Sequence, residues 1–272
     1  MRALAPFLAA LLAGCAGNPP QGAEHAHPTI VSLNPCTDAI LSEVAEPAQL
    51  LAISHYSHDP AATSMDLAVA RRFAITGGTV EEVLALKPDL VVAGTFLPPA
   101  TSQAFERLGI RVETVGIAST VAESEAQVTR LAELAGNPER GAMLNRQIER
   151  ALAEARPPKG TRPVSTLLWE QGGIVAGPGS LIAELMERTG FGSQSAAQGL
   201  GQGAYLPLEQ VLADPPELVL AAGGERALAH PALRALRGTA YRRLDPSLVF
   251  CGGPTIIRAA DDLAAIRREI AS

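Results

Sequence analysis

The sequence predicts an α/β fold of two lobes, each built on a doubly wound parallel sheet, joined by one long interdomain helix with a ligand cleft between them. Three observations carry that expectation. The first is residues 137–155, NPERGAMLNRQIERALAEA. Asn137 is a good N-cap, Pro138 suits the first helical position, and Glu139 lies where the helix dipole favours an acid. Leu144, Ile148, Leu152 and Ala155 recur on one helix face. Pro157 and Pro158 then end the helix. At 1.5 Å per residue it spans about 27 Å, enough to join two lobes.

The second observation is an echo on either side of that helix. Residues 80–94 (VEEVLALKPDLVVAG) and 208–223 (LEQVLADPPELVLAAG) share a pattern at constant offset. Glu81, Val83, Leu84, Pro88, Leu90 and Val91 recur as Glu209, Val211, Leu212, Pro216, Leu218 and Val219. Each copy reads as a short amphipathic helix, a proline stop and a strand too apolar to have a wet face. Such strands belong to parallel sheets covered on both sides. The third observation is the alternation of strand and helix along the whole chain.

In order, residues 29–33 form a first strand, and Thr37 or Asp38 caps the helix that follows. Strands at 50–54 and 73–76, the first repeat copy, a helix over 101–108, a strand near 112–115 and a helix over 121–135 complete the first lobe. Beyond the bridge come a strand at 164–168, a helix at 180–189 and a glycine-rich loop at 199–205. The second repeat copy follows, then a last strand at 247–250 and a terminal helix. The expected divisions are 29–136, 137–156 and 157–272.

The N-terminus stands apart from the fold. Arg2, an apolar run and Leu12-Ala13-Gly14-Cys15 make a leader too short for a permanent membrane span. The last four residues resemble the bacterial lipoprotein lipobox, which implies cleavage before Cys15 and acylation of its thiol. The alternative is an ordinary secretory signal cut elsewhere. Residues 1–15 are thus a signal and 16–28 a polar tether. With 22 basic and 28 acidic residues among 272 and no basic block, nucleic acid is not an expected partner.

In open parallel sheets, ligands bind beyond the carboxyl ends of the strands. Tyr56, Phe96, Trp169, Tyr205 and Phe250 fall at or beside such ends. Two lobes presenting them to each other make a cleft for a bulky, apolar-faced ligand. The alternative is that some only cap the sheets. Glu170 is the one carboxylate expected in the cleft. His55 and His58 flank Tyr56 as candidate metal ligands, or as solvated loop residues. Cys36 and Cys251 end strands of different lobes. Export permits a disulfide between them, worth about 5 kcal/mol on the chain-entropy model; the competing reading is two separate thiols. No Gly-x-Ser-x-Gly elbow or Walker loop occurs, and Gly199-x-Gly201-x-x-Ala204 lacks the preceding strand a dinucleotide site needs.

Residues 30–35 (IVSLNP), 83–91 (VLALKPDLV) and 208–219 together resemble the class III periplasmic binding proteins, the receptors of ABC importers for cobalamin, iron–siderophore complexes and heme. The resemblance runs from about residue 29 to 270. It implies a stiff helical hinge with little closure on binding. It maps pocket loops onto Asn34 to Cys36, Tyr56, Gly77 and Gly78, Phe96, Trp169, Tyr205 and residues 251–254, Gly252 included. It also implies an ABC permease that docks on a surface acid of each lobe. The matching positions here, Pro99 to Thr101 and Cys251 to Gly253, hold no acid. Glu81 and Glu82 are substitutes, or a solvated helix face.

The resulting expectation is a monomeric, non-enzymatic receptor, anchored by lipid in the periplasm. It would carry a corrinoid or iron chelate to its permease and hold no cofactor of its own. An exported enzyme using Glu170 as acid or base in the same cleft is the alternative. A surface scaffold without a small ligand is a third.

Overall fold

A computed structural model describes residues 27–223 and 230–271. The leader, the tether up to residue 26 and the lipidation candidate Cys15 lie outside the described residues. The first lobe holds five strands: β1 (Ile30–Ser32), β2 (Leu50–Ser54), β3 (Ile75–Thr76), β4 (Leu90–Gly94) and β5 (Val112–Val115). They are all parallel, in the order β3-β2-β1-β4-β5. At the centre, β1 is buried throughout and β4 in all but its last residue, in keeping with their largely apolar sequences.

The second lobe holds β6 (Val164–Glu170), β7 (Ile174–Val175), β8 (Phe191–Ser193), β9 (Ala204–Tyr205), β10 (Leu218–Ala222) and β11 (Ala240–Arg243). Its main path runs β11-β10-β6-β7-β9, with β8 paired in parallel to the start of β6. The order β6-β10-β11 repeats β1-β4-β5. The two repeat copies therefore occupy equivalent places: helix Val80–Leu86 leads into β4, and helix Leu208–Ala213 into β10.

Two expectations need correction. The second sheet is mixed, because β7 pairs antiparallel with both β6 and β9. These two-residue strands leave no period to read. The last strand is Ala240–Arg243, not 247–250, where Asp245 caps a 3-10 turn over Pro246–Leu248. Adjacent arginines and the lack of an apolar run hid the strand, and the apolar stretch after Asp245 imitated one.

The bridging helix, Pro138–Ala155, lies along helices Pro35–Val44 and Val121–Leu134 of the first lobe. It also lies along Leu181–Arg188 and Thr255–Ala271 of the second. Its buried stripe of Leu144, Ile148 and Leu152 belongs to one apolar cluster that takes in Ile30 and Leu90 on one side and Leu168 and Leu263 on the other. Each such side chain contributes about 1.5–3 kcal/mol by leaving water. The helix is thus a linker and the middle of a shared core. Asn137 does not cap it with its side chain; its Nδ2 donates to Gln49 Oε1 at 2.8 Å instead.

Further links cross between the lobes. Gly253 N donates to Ser124 Oγ at 2.7 Å, and Val121 N donates to Glu184 Oε2 at 2.8 Å. Arg258 Nη2 donates to the Ser64 carbonyl. Gly253 has φ +61°, and a Cβ there would lie 2.5 Å from Ile40 Cγ1, so this approach requires glycine.

Candidate functional site

Strand ends from both lobes converge on a cavity of about 360 Å³. The first lobe supplies Asn34 after β1, Phe96 after β4 and Ile117 after β5; the second supplies Glu170, Ile174 and Phe250. Phe96 is 82 % exposed, Ile117 66 % and Phe250 63 %, so these apolar side chains present contact surface that no protein atoms cover. A contiguous second hollow of about 460 Å³ lies on the first-lobe side, lined by Tyr56, Gly78 and Leu97. Asn34 and Phe96 border both hollows.

Asn34 is there for a local reason. Its Oδ1 accepts from Cys36 N at 2.9 Å and Thr37 N at 3.4 Å, capping the first helix in place of the expected Thr37 or Asp38. A Cβ at Gly94 would lie 2.9 Å from Asn34 Nδ2, so glycine at the end of β4 makes room for that amide. Asp38 is instead fully buried beneath the site. Its Oδ2 accepts from Ser57 Oγ at 2.6 Å and Ser54 N at 3.0 Å, while Oδ1 has no hydrogen-bond partner. Burial outweighs those bonds and the favourable contact of the Ser32 hydroxyl, and raises its pKa to about 8.

Trp169, expected in the cleft, is 2 % exposed and packs with Leu167, Val175 and Leu206 under the second sheet. Its Nε1 donates to the Leu206 carbonyl at 3.2 Å. Strand alternation explains the difference: odd positions of β6 face this flank, and only Glu170 at the strand's end reaches the cavity. Burial raises the Glu170 pKa. Tyr205 stands directly opposite Ile174 in the β7–β9 pair, so the two side chains share a face. Tyr205 is 67 % exposed and, although expected in the cleft, does not line the cavity.

His55 and His58 do not converge on a metal position. His55 Nδ1 lies 3.3 Å from the Thr76 carbonyl and its ring stacks on Tyr56; His58 Nε2 lies 3.0 Å from the Ala70 carbonyl. Among the described residues no three His, Cys, Asp or Glu side chains group to hold a metal. Cys36 and Cys251 form a disulfide with Cα atoms 5.1 Å apart, joining the lobes at the cavity wall. Gly252 follows it, and a Cβ there would strike Ser124 Oγ. Of the acids weighed for docking, Glu82 is exposed but tied to its own loop, accepting from Thr76 Oγ1 and Gly77 N at 2.6 Å each, which lowers its pKa. Glu81 is exposed.

Sequence reasoning missed Ile117, Ile174, Gln127 and Gln202, all of which line the cavity. The strand-end rule that selected Phe96 also selects Ile117. Ile174 had no such signal, since it opens a two-residue strand behind a glycine pair.

Two α/β lobes that share a helix and hold a solvent-open cavity between their strand ends have the architecture of solute-binding proteins. The chain belongs to the periplasmic binding protein family, which it matches over residues 30–237. Its fold is the two-lobed, single-helix form of class III. The family is one of solute binders rather than enzymes, and membership assigns the protein to the periplasm. No curated protein sequence matches the chain significantly. Among solved structures, it is similar to the apo form of a periplasmic heme-binding protein from Roseiflexus sp. RS-1, with 21 % identity and TM-score 0.70 over 90 % of this chain and 99 % of that one. A periplasmic vitamin B12-binding protein of Vibrio cholerae aligns with 19 % identity and TM-score 0.67 over 90 % and 98 %. A periplasmic heme-binding protein from Pseudomonas aeruginosa aligns with 23 % identity and TM-score 0.66 over 88 % and 92 %. None of the described helices is long and apolar enough to cross a membrane.

Proposed function

We propose that this protein is a lipid-anchored receptor that captures a corrinoid or an iron chelate between its lobes and presents it to an ABC permease. The observation that supports this reading best is the interlobe cavity itself, walled by exposed Phe96 and Ile117 from the first lobe's strand ends and by exposed Phe250 from the loop before the second lobe's terminal helix. Such a wall offers stacking and desolvation to a large, flat-faced solute. The interlobe disulfide and the shared core favour a site that is largely formed before the ligand arrives. The neighbours named above bind heme and vitamin B12 in the same fold.

The test is to purify the protein and record its visible spectrum with vitamin B12, hemin and ferric siderophores added in turn. One coloured solute should co-elute at one-to-one stoichiometry and return unchanged. Failure of all three classes to bind would overturn the receptor reading. Chemical turnover that depends on Glu170, whose pKa burial raises, would support the enzyme alternative. For the anchor, Cys15→Ser should shift the protein from the membrane fraction to the soluble fraction. Unchanged partitioning would remove the lipid from the account.

A further inference from the structure

The charge of the cavity wall is one-sided. Among its described lining residues, drawn from both lobes, there is no lysine, arginine or histidine, and the one side chain that titrates is Glu170. The other polar side chains are amides and hydroxyls, among them Asn34, Thr95, Ser119, Gln127 and Gln202. The adjoining hollow adds Tyr56 and Thr101 but no charge. We propose, resting on the receptor reading, that the cleft selects solutes without net negative charge, either uncharged or singly cationic, and that Glu170 sets this preference.

The physical case is desolvation. A solute carboxylate that enters this cavity loses water, gains no described cationic partner and approaches a carboxyl of its own sign. An uncharged solute rich in amides exchanges its water for the amides and hydroxyls of the wall at little net cost. A cation finds its counterion in Glu170. That acid projects from the last position of β6, a strand hydrogen-bonded on both sides, so its location is fixed by the sheet. Burial raises the Glu170 pKa, the response of an acid that lacks a compensating charge. A bound cation would favour the ionised form, so cation affinity should rise with pH through that range.

The test uses three probes on the purified protein by absorbance titration: cyanocobalamin, which carries no net charge; aquacyanocobinamide, a monocation; and hemin, which carries two carboxylates. At pH 7.5, hemin should bind at least about tenfold more weakly than the better corrinoid. Glu170→Gln should lower cobinamide affinity about tenfold relative to cyanocobalamin and abolish its rise with pH. Glu170→Lys should improve hemin and weaken cobinamide. Hemin bound as tightly as both corrinoids, or a cobinamide-to-cyanocobalamin ratio unchanged by Glu170→Gln, would overturn the selection while leaving the receptor intact. Binding of none of the three in one-to-one stoichiometry, with ferric siderophores failing to bind as well, would overturn the receptor reading, and the selection with it.

Discussion

Asp38 makes stability depend on pH in an unusual direction. Its carboxyl is buried with one oxygen unpartnered, and its pKa rises from 3.8 to about 8. Between those values the folded chain keeps a proton that the unfolded chain has released. The folded state binds more protons, so stability falls as pH rises, by about 1.4 kcal/mol per pH unit. Below the unfolded pKa the contribution is fully present; above pH 8 it is gone. From pH 5 to pH 7 the loss is about 3 kcal/mol, or about 6–12 °C in Tm for a chain of this size. Asp38→Asn keeps an oxygen to accept from Ser57 and Ser54 but cannot titrate, so its stability should lack this slope. The assay is thermal and urea unfolding of both proteins at pH 5, 6 and 7. Subtracting the variant's slope removes the other titrating groups, including Glu217, whose pKa the Arg162 ion pair lowers to about 2. Parallel pH profiles for the two proteins would refute the reasoning.

Three other outcomes follow from the same geometry. Trp169→Ala should cost about 3–5 kcal/mol of stability, because it empties a packed site under the second sheet; a stable variant that had lost only ligand affinity would return Trp169 to the cleft. Phe96→Ala and Phe250→Ala should each weaken ligand binding by about 1–3 kcal/mol with little change in Tm, and calorimetric titration beside thermal unfolding would separate the two effects. Replacing both Cys36 and Cys251 by Ser opens a loop of sequence separation 215 and should cost about 5 kcal/mol on the chain-entropy model. Equal denaturant midpoints for oxidised and Ser-substituted protein would exclude that contribution.

The sequence carried the architecture because its signals were long. Eighteen helical residues with one apolar stripe, and two copies of a helix–proline–strand unit, survive any local ambiguity. Strand-end reasoning reached Asn34, Phe96 and Glu170, which share one cavity, and reached Phe250 of the same cavity by way of a strand that is in fact a turn. It misread Trp169, because an aromatic one place before a strand's end faces the sheet's flank, while the next residue faces the ligand. Asn34 took the capping role expected of Thr37 or Asp38, because all three are good caps and only the chain's path decides which one caps and which is buried. The β7–β9 pairing joins residues far apart in sequence and had no local signature.

The apolar cluster that runs through the bridging helix into both halves has an engineering consequence. Neither half is a module. A chimera that swapped one of them for a homologous piece would cut through interdigitated side chains, and each fragment expressed alone would leave Leu144, Ile148 and Leu152 or their neighbours bare to solvent. Retuning this scaffold for another cargo is therefore a matter of editing loop tips, with the centre of the molecule kept whole.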